Sequence, residues 1–125
     1  MRKLLALISI LSLCSCFEAE RKCEDFKTGT FEFENYINGE LQTSRFIRND
    51  STEIEMYQGE TDTSSVRWIN DCEYILKNLH PDGMSEEKPI HIKILTTNGN
   101  SYTFEYGQVG DPKKARGEVR KVSEN

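Results

Sequence analysis

Four cysteines and two histidines are the side chains of this 125-residue chain best suited to thiol, metal or acid–base chemistry. Three of the cysteines, Cys14, Cys16 and Cys23, crowd into "LCSCFEAERKC", and the fourth, Cys72, stands far along the chain. A structural zinc needs four ligands at close spacing. His80 and His91 offer no His-x-x-x-His and the cysteines no Cys-x-x-Cys, so no metal site is expected. Asp62, Asp71 and Asp82 are scattered and lack the spacing of a calcium loop. His80 precedes Pro81 in a loop-like stretch and His91 alternates with isoleucines, so both read as solvated side chains. No paired carboxylates, Gly-x-Ser-x-Gly or Ser/His/Asp set stands out. No catalytic residue and no cofactor is therefore assigned.

The thiols make sense from the chain's first residues. Arg2 and Lys3 precede an apolar run, Leu4 to Leu13, broken only by Ser9 and Ser12. The run is shorter than the ~20 residues a spanning helix needs, and it has no polar face for a core helix. A basic start, a short apolar run and small residues after it make an export signal. Leu13-Cys14-Ser15-Cys16 resembles the lipobox of bacterial lipoproteins, with Ser15 small enough for the peptidase and Cys16 as the lipid acceptor. Cys14 occupies the second lipobox position, where Ala, Ser or Thr is commoner, and bulky Leu13 before it makes it the poorer acceptor. The chain then divides into a signal peptide (1–15), a lipid-anchored tether (16–22) and a folded domain (23–125). That places the protein in a bacterial cell envelope, as an outer-membrane lipoprotein facing the periplasm or the surface. Glu18 and Glu20 loosely resemble the acidic surface-export signals of such proteins.

With Cys14 discarded and Cys16 acylated, Cys23 and Cys72 remain. Exported chains live in oxidising surroundings where paired thiols persist, so a Cys23–Cys72 disulfide is expected. Closing so long a loop removes ~4 kcal/mol of unfolded-state entropy.

The formal net charge is −5, and losing Arg2 and Lys3 with the signal makes it −7. An acidic domain repels phosphate backbones, so nucleic acid is not an expected partner. Lys113, Lys114 and Arg116 are balanced by Asp111 and Glu118 and read as a solvated turn.

The elements that would position any site are strands. Apolar and polar residues alternate in "GTFEFENY", "TEIEMYQG", "SSVRWIND", "CEYILKNL", "PIHIKILTT" and "SYTFEYG", with "LQTSRFIRN" and "RGEVRKVS" less regular. Asn38-Gly39 is a hairpin signal, and turn residues recur at Asn49-Asp50, Gln58-Gly59, Asn70-Asp71, Asn98-Gly99-Asn100 and Asp111-Pro112. About eight antiparallel strands joined in sequence suggest an all-β up-and-down meander, closed into a small barrel to remove its edges. A β-sandwich is the alternative. Charged outer faces exclude a membrane barrel. Alternation predicts an interior of Phe31, Phe33, Ile54, Met56, Val66, Trp68, Tyr74, Leu76, Ile92, Ile94, Tyr102 and Phe104. It puts Glu32, Glu34, Glu53, Glu55, Arg67, Glu73, Lys77, Lys93, Thr103 and Glu105 in solvent. Phe46 and Ile47 compete for the inside of the second strand, and Val119 and Val122 are out of phase in the last.

"CEDFKTGTFEF", "TDTSSVRWINDCEYIL" and "IKILTTNGNSYTFEY" resemble a family of small lipoproteins of flavobacteria and their relatives. The resemblance spans most of the mature chain and implies a lipid-anchored envelope protein, with no activity attached. Some members carry the product name "DNA topoisomerase IV", which this chain contradicts. It is acidic and exported, with no phosphate loop and no basic DNA gate. The "W…CEY" strand pair and the meander are similar to lipocalin-like domains, a likeness of fold that brings no function with it.

Trp68 could stack on a ligand, although a lone Trp on an alternating strand is more often core. Tyr74, Tyr102 and Tyr106 could line a cavity, although the interior of a small barrel is often filled by side chains. Two functions from different classes remain. One is a binding or interaction module for an envelope protein or a small apolar ligand. The other is a small envelope hydrolase or isomerase, which the lack of a motif disfavours.

Overall fold

A computed structural model describes residues 20–125, apart from the side chains at 37, 85 and 86. The stretches expected to be a signal peptide (1–15) and most of a lipid-anchored tether (16–22), with the expected acceptor Cys16, lie outside the described residues. Arg21 and Lys22, at the start of the described chain, already touch the folded body. Arg21 Nη1 donates to the Ile94 carbonyl at 2.9 Å, and the Lys22 amide donates to Thr97 Oγ1 at 2.9 Å.

A short 3-10 turn, Cys23–Phe26, opens the domain. Eight strands follow: β1 (Gly29–Ile37), β2 (Glu40–Arg48), β3 (Thr52–Tyr57), β4 (Glu60–Asn70), β5 (Glu73–Asn78), β6 (Ile90–Asn98), β7 (Ser101–Gln108) and β8 (Ala115–Ser123). A one-turn helix, α1 (Met84–Glu87), sits between β5 and β6. Each strand pairs antiparallel with the next, and β8 returns to β1, so the sheet is a closed up-and-down barrel rather than a sandwich. Closure leaves no sheet edge along the paired wall, which is what a meander of short amphipathic strands requires.

Register follows from the hairpins. Asn38 and Gly39 both take positive φ, 54° and 81°, as do Gln58 and Gly59, 49° and 78°. Two left-handed residues in a two-residue loop match the right-handed twist of the flanking strands. The first turn sets Phe31 opposite Phe46 and Phe33 opposite Ser44. Phe31 and Phe46 stack inside the barrel with ring centroids 5.0 Å apart. Phe46 therefore takes the interior, and Ile47 only half-buries on the outer face.

That choice propagates. Asn49 Oδ1 accepts from the Ser51 and Thr52 amides and tightens the next turn. Arg48 then lies opposite Glu53, and Phe46 opposite Glu55. Strand β3 accordingly runs in the opposite phase to the one its apolar residues predict. Glu53 is buried, whereas Glu55 stays exposed to solvent, as expected, and borders the interior cavity at its open end; Ile54 and Met56 sit half-buried on the outer face. The alternation was correct and its phase was not, because a period of two cannot say which set points inward.

The other interior positions agree with the alternation. Phe31, Val66, Tyr74, Ile92, Ile94, Tyr102 and Phe104 form one cluster, with Phe33, Trp68 and Leu76 packed against it. On β8, Val119 is buried and Val122 is 38 % exposed, because the β1–β8 ladder shifts register between Thr30 and Phe31. Gly117 faces Phe104 across the β7–β8 pair. A Cβ there would stand 2.8 Å from the Phe33 ring and 2.9 Å from Phe104, so its missing side chain makes room for both rings.

The Cys23–Cys72 disulfide ties the 3-10 turn to the β4–β5 connection, with Cα atoms 5.3 Å apart. It holds that turn across one end of the barrel. Lys121 Nζ donates to the Asp25 carbonyl at 2.8 Å from below. The 3-10 turn, the disulfide and Lys121 close this end; the β1–β2 and β3–β4 hairpins and α1 surround the other.

Candidate ligand-binding cavity

The floor of the barrel interior is a buried cation. Arg48, the last residue of β2, is completely inaccessible to solvent. Phe46 inside puts Arg48 inside as well, two residues on. A guanidinium there must be paired and fully hydrogen-bonded. Its Nε and Nη2 donate to Glu53 Oε1 at 3.0 and 2.9 Å. Its Nη1 donates to the Phe26 carbonyl at 2.6 Å, an otherwise free acceptor of the 3-10 turn. Its Nη2 also reaches the hydroxyls of Tyr74, 2.6 Å, and Tyr102, 3.0 Å. The guanidinium carbon lies 4.6 Å from the Tyr74 ring centroid and 4.7 Å from that of Phe31, within cation–π range. One side chain thus ties β2 to β3, β5, β7 and the closing turn.

Electrostatics fit this geometry. Burial opposes the Arg48 charge, but the oxygens of Tyr102, Tyr74 and Glu53 outweigh it and hold its pKa above the ordinary value. Burial pushes the Tyr74 phenol well above its ordinary pKa, against the pull of Arg48. The cluster is therefore an Arg48–Glu53 ion pair with neutral Tyr74 beside it, suited to bracing the fold rather than to moving protons.

Above this floor the barrel leaves a cavity of about 210 Å³. Its walls are mostly carbon: Phe33 and Phe46 on one side, Leu76, Ile92, Phe104 and Tyr106 on the other. Polar groups converge at only a few points, among them Ser44, Glu53 and Glu55. Ile90, 37 % exposed, and Glu55 also line it, so the cavity reaches solvent at the end away from the disulfide. Three larger depressions, about 680, 600 and 470 Å³, have mostly polar walls. The first lies beside the β1–β8 seam, where pairing stops at Phe33–Val119. None has the mostly apolar lining that a small organic ligand favours.

The sequence candidates divide by depth. Tyr74, Tyr102 and Tyr106 all line the cavity. The hydroxyls of Tyr74 and Tyr102 are committed to Arg48, leaving their rings to the cavity wall. Trp68 lies lower and is not on that wall. Its ring packs on Tyr74, centroids 4.6 Å apart, and Lys27 Nζ stands 5.3 Å over it. His91 is on the outer face, 3.1 Å from Glu73, and His80 is exposed. Among the described residues no group of acids, histidines or cysteines could hold a metal ion.

Sequence reasoning missed Arg48, Glu53 and Glu55. The signal was present: the Asn38-Gly39 turn pairs Phe31 with Phe46, and the following turn pairs Phe46 with Glu55.

No family model, curated protein or solved structure matches this chain.

Proposed function

We propose that this protein is a lipid-anchored envelope binding module that holds a small, largely apolar ligand inside its barrel. The cavity carries the reading: a concave, apolar space with a few convergent polar groups and a rigid floor is the form ligand sites take. At about 210 Å³ it suits a molecule near the size of a substituted benzene. The anchoring rests on "LCSC" and the resemblance to small flavobacterial lipoproteins. Arg21 and Lys22 leave the fold beside the closed end, at Ile94 and Thr97. Cys16 is five residue steps before Arg21, a reach of ~18 Å at most. An anchored barrel would therefore present its mouth away from the membrane.

Two experiments test this reading. A thermal-shift and NMR screen of small aromatic and aliphatic compounds should find binders that stabilise the fold without being turned over. Leu76→Phe, which fills the cavity, should abolish their binding, and undiminished binding to that variant would refute the site. In cells, Cys16→Ala should release the protein from membranes while Cys14→Ala should not, since one or no acyl chain anchors poorly.

A further inference from the structure

We infer that the cavity selects small amphipathic cations: a primary amine or ammonium group on a short aryl or alkyl body. This rests on the cavity being a ligand site and adds the charge of its occupant.

Charge is unevenly distributed on the cavity wall. Two carboxylates, Glu53 and Glu55, line the cavity, and the one buried cation at its floor is Arg48. Arg48 is fully used: its donors go to Glu53, the Phe26 carbonyl, Tyr74 and Tyr102. Glu53 is thereby neutralised. Glu55 is not. No lysine, arginine or histidine among the described residues forms an ion pair with it, and Ser44, which also lines the cavity, is the polar side chain that favours its charge. Asp62 stands directly opposite Glu55 in the β3–β4 ladder and adds a second negative charge. Although Glu55 is exposed to solvent, partial desolvation by the cavity wall, then Glu53, then Asp62 disfavour its carboxylate, and Ser44 only partly offsets them.

The opposing wall supplies the other half of the recognition. Leu76, Ile92, Phe104 and Tyr106 face the carboxylate side with carbon. A ligand with an ammonium at Glu55 and an aryl or alkyl body against these side chains would satisfy both walls. An anion would meet Glu55 unpaired, and a neutral ligand would leave that carboxylate as it is. Ring faces nearby also favour positive charge.

Isosteric probes decide the matter: 2-phenylethylamine, 2-phenylethanol and phenylacetate, titrated into the disulfide-bonded domain by calorimetry and NMR. The amine should bind about tenfold or more tighter than the alcohol, as a charge-assisted hydrogen bond implies, and phenylacetate should not bind. Glu55→Gln should reduce the amine's advantage to about threefold or less while the alcohol binds as before. Equal affinity for amine and alcohol, or an advantage that survives Glu55→Gln, would overturn the inference and leave the cavity reading standing. Binding of none of the three, with no shift of cavity resonances, would overturn the cavity reading and this inference with it.

Discussion

Arg48 sets the energetics at the residue scale. Removing one partner of a buried ion pair strands the other charge. Arg48→Leu should therefore cost about 3–5 kcal/mol, read from urea unfolding, with Glu53→Leu on the same background recovering much of the loss. Tyr74→Phe takes one acceptor from the guanidinium and should cost about 1–3 kcal/mol. Equal stability of Arg48→Leu and the unaltered protein would show that the cluster does not brace the fold. Acid titration separates two carboxylates of opposite sign. Glu32, hydrogen-bonded to Arg45 at 2.7 Å and to Arg120 at 2.9 Å, has its pKa lowered. Its contribution is present above the ordinary carboxylate pKa and is lost as pH falls through the lowered one. Glu55 is raised, so the fold prefers it protonated, and stability falls as pH rises from the ordinary value through the raised one. Glu55→Gln should thus stabilise the protein at neutral pH and leave it unchanged in acid, as thermal melts across that range would show.

At the element scale the phase of β3 is the informative feature. A cysteine replacing Met56, on the outer face, should react with a soluble maleimide in the native protein. One replacing Ser44, 7 % exposed, should be protected until unfolding. The reverse pattern would restore the phase that Ile54 and Met56 suggest on their own. In β8, Gly117→Val would drive a side chain into Phe33 and Phe104, and overpacking of this kind costs about 1–3 kcal/mol. Trp68→Ala removes a large aromatic packed on Tyr74 and should cost ~3 kcal/mol, whereas exposed Lys93→Ala should cost less than ~0.5 kcal/mol.

For the molecule as a whole, the disulfide and Arg48 act on the same turn. Cys23 and Cys72 are 49 residues apart, and a bridge of that span contributes ~4 kcal/mol through the unfolded chain. In the folded state it also holds the 3-10 turn whose Phe26 carbonyl accepts from Arg48. Reduction should therefore lower the unfolding midpoint. It should also weaken binding of any cavity ligand, because the floor loses one of its fixed partners. A midpoint unchanged by reductant would contradict the bridge's role, and mapping the linked Cys23–Cys72 peptide by mass spectrometry checks the bond itself.

Strand number, the meander and the interior faces of β1, β5, β6 and β7 were legible from alternation and turn residues alone, since each carries one plainly apolar face such as Ile92 and Ile94. Local pattern could not choose between Phe46 and Ile47, and on β3 it chose Ile54 over Glu53, because an apolar side chain is the expected occupant of the interior and only a partner from another strand makes a buried carboxylate acceptable. Only pairing around the closed barrel decides: stacking Phe46 on Phe31 draws Arg48 inward, and burying that guanidinium is tolerable only with Glu53 from the next strand and Tyr74, Tyr102 and the Phe26 carbonyl from three distant parts of the chain gathered around it.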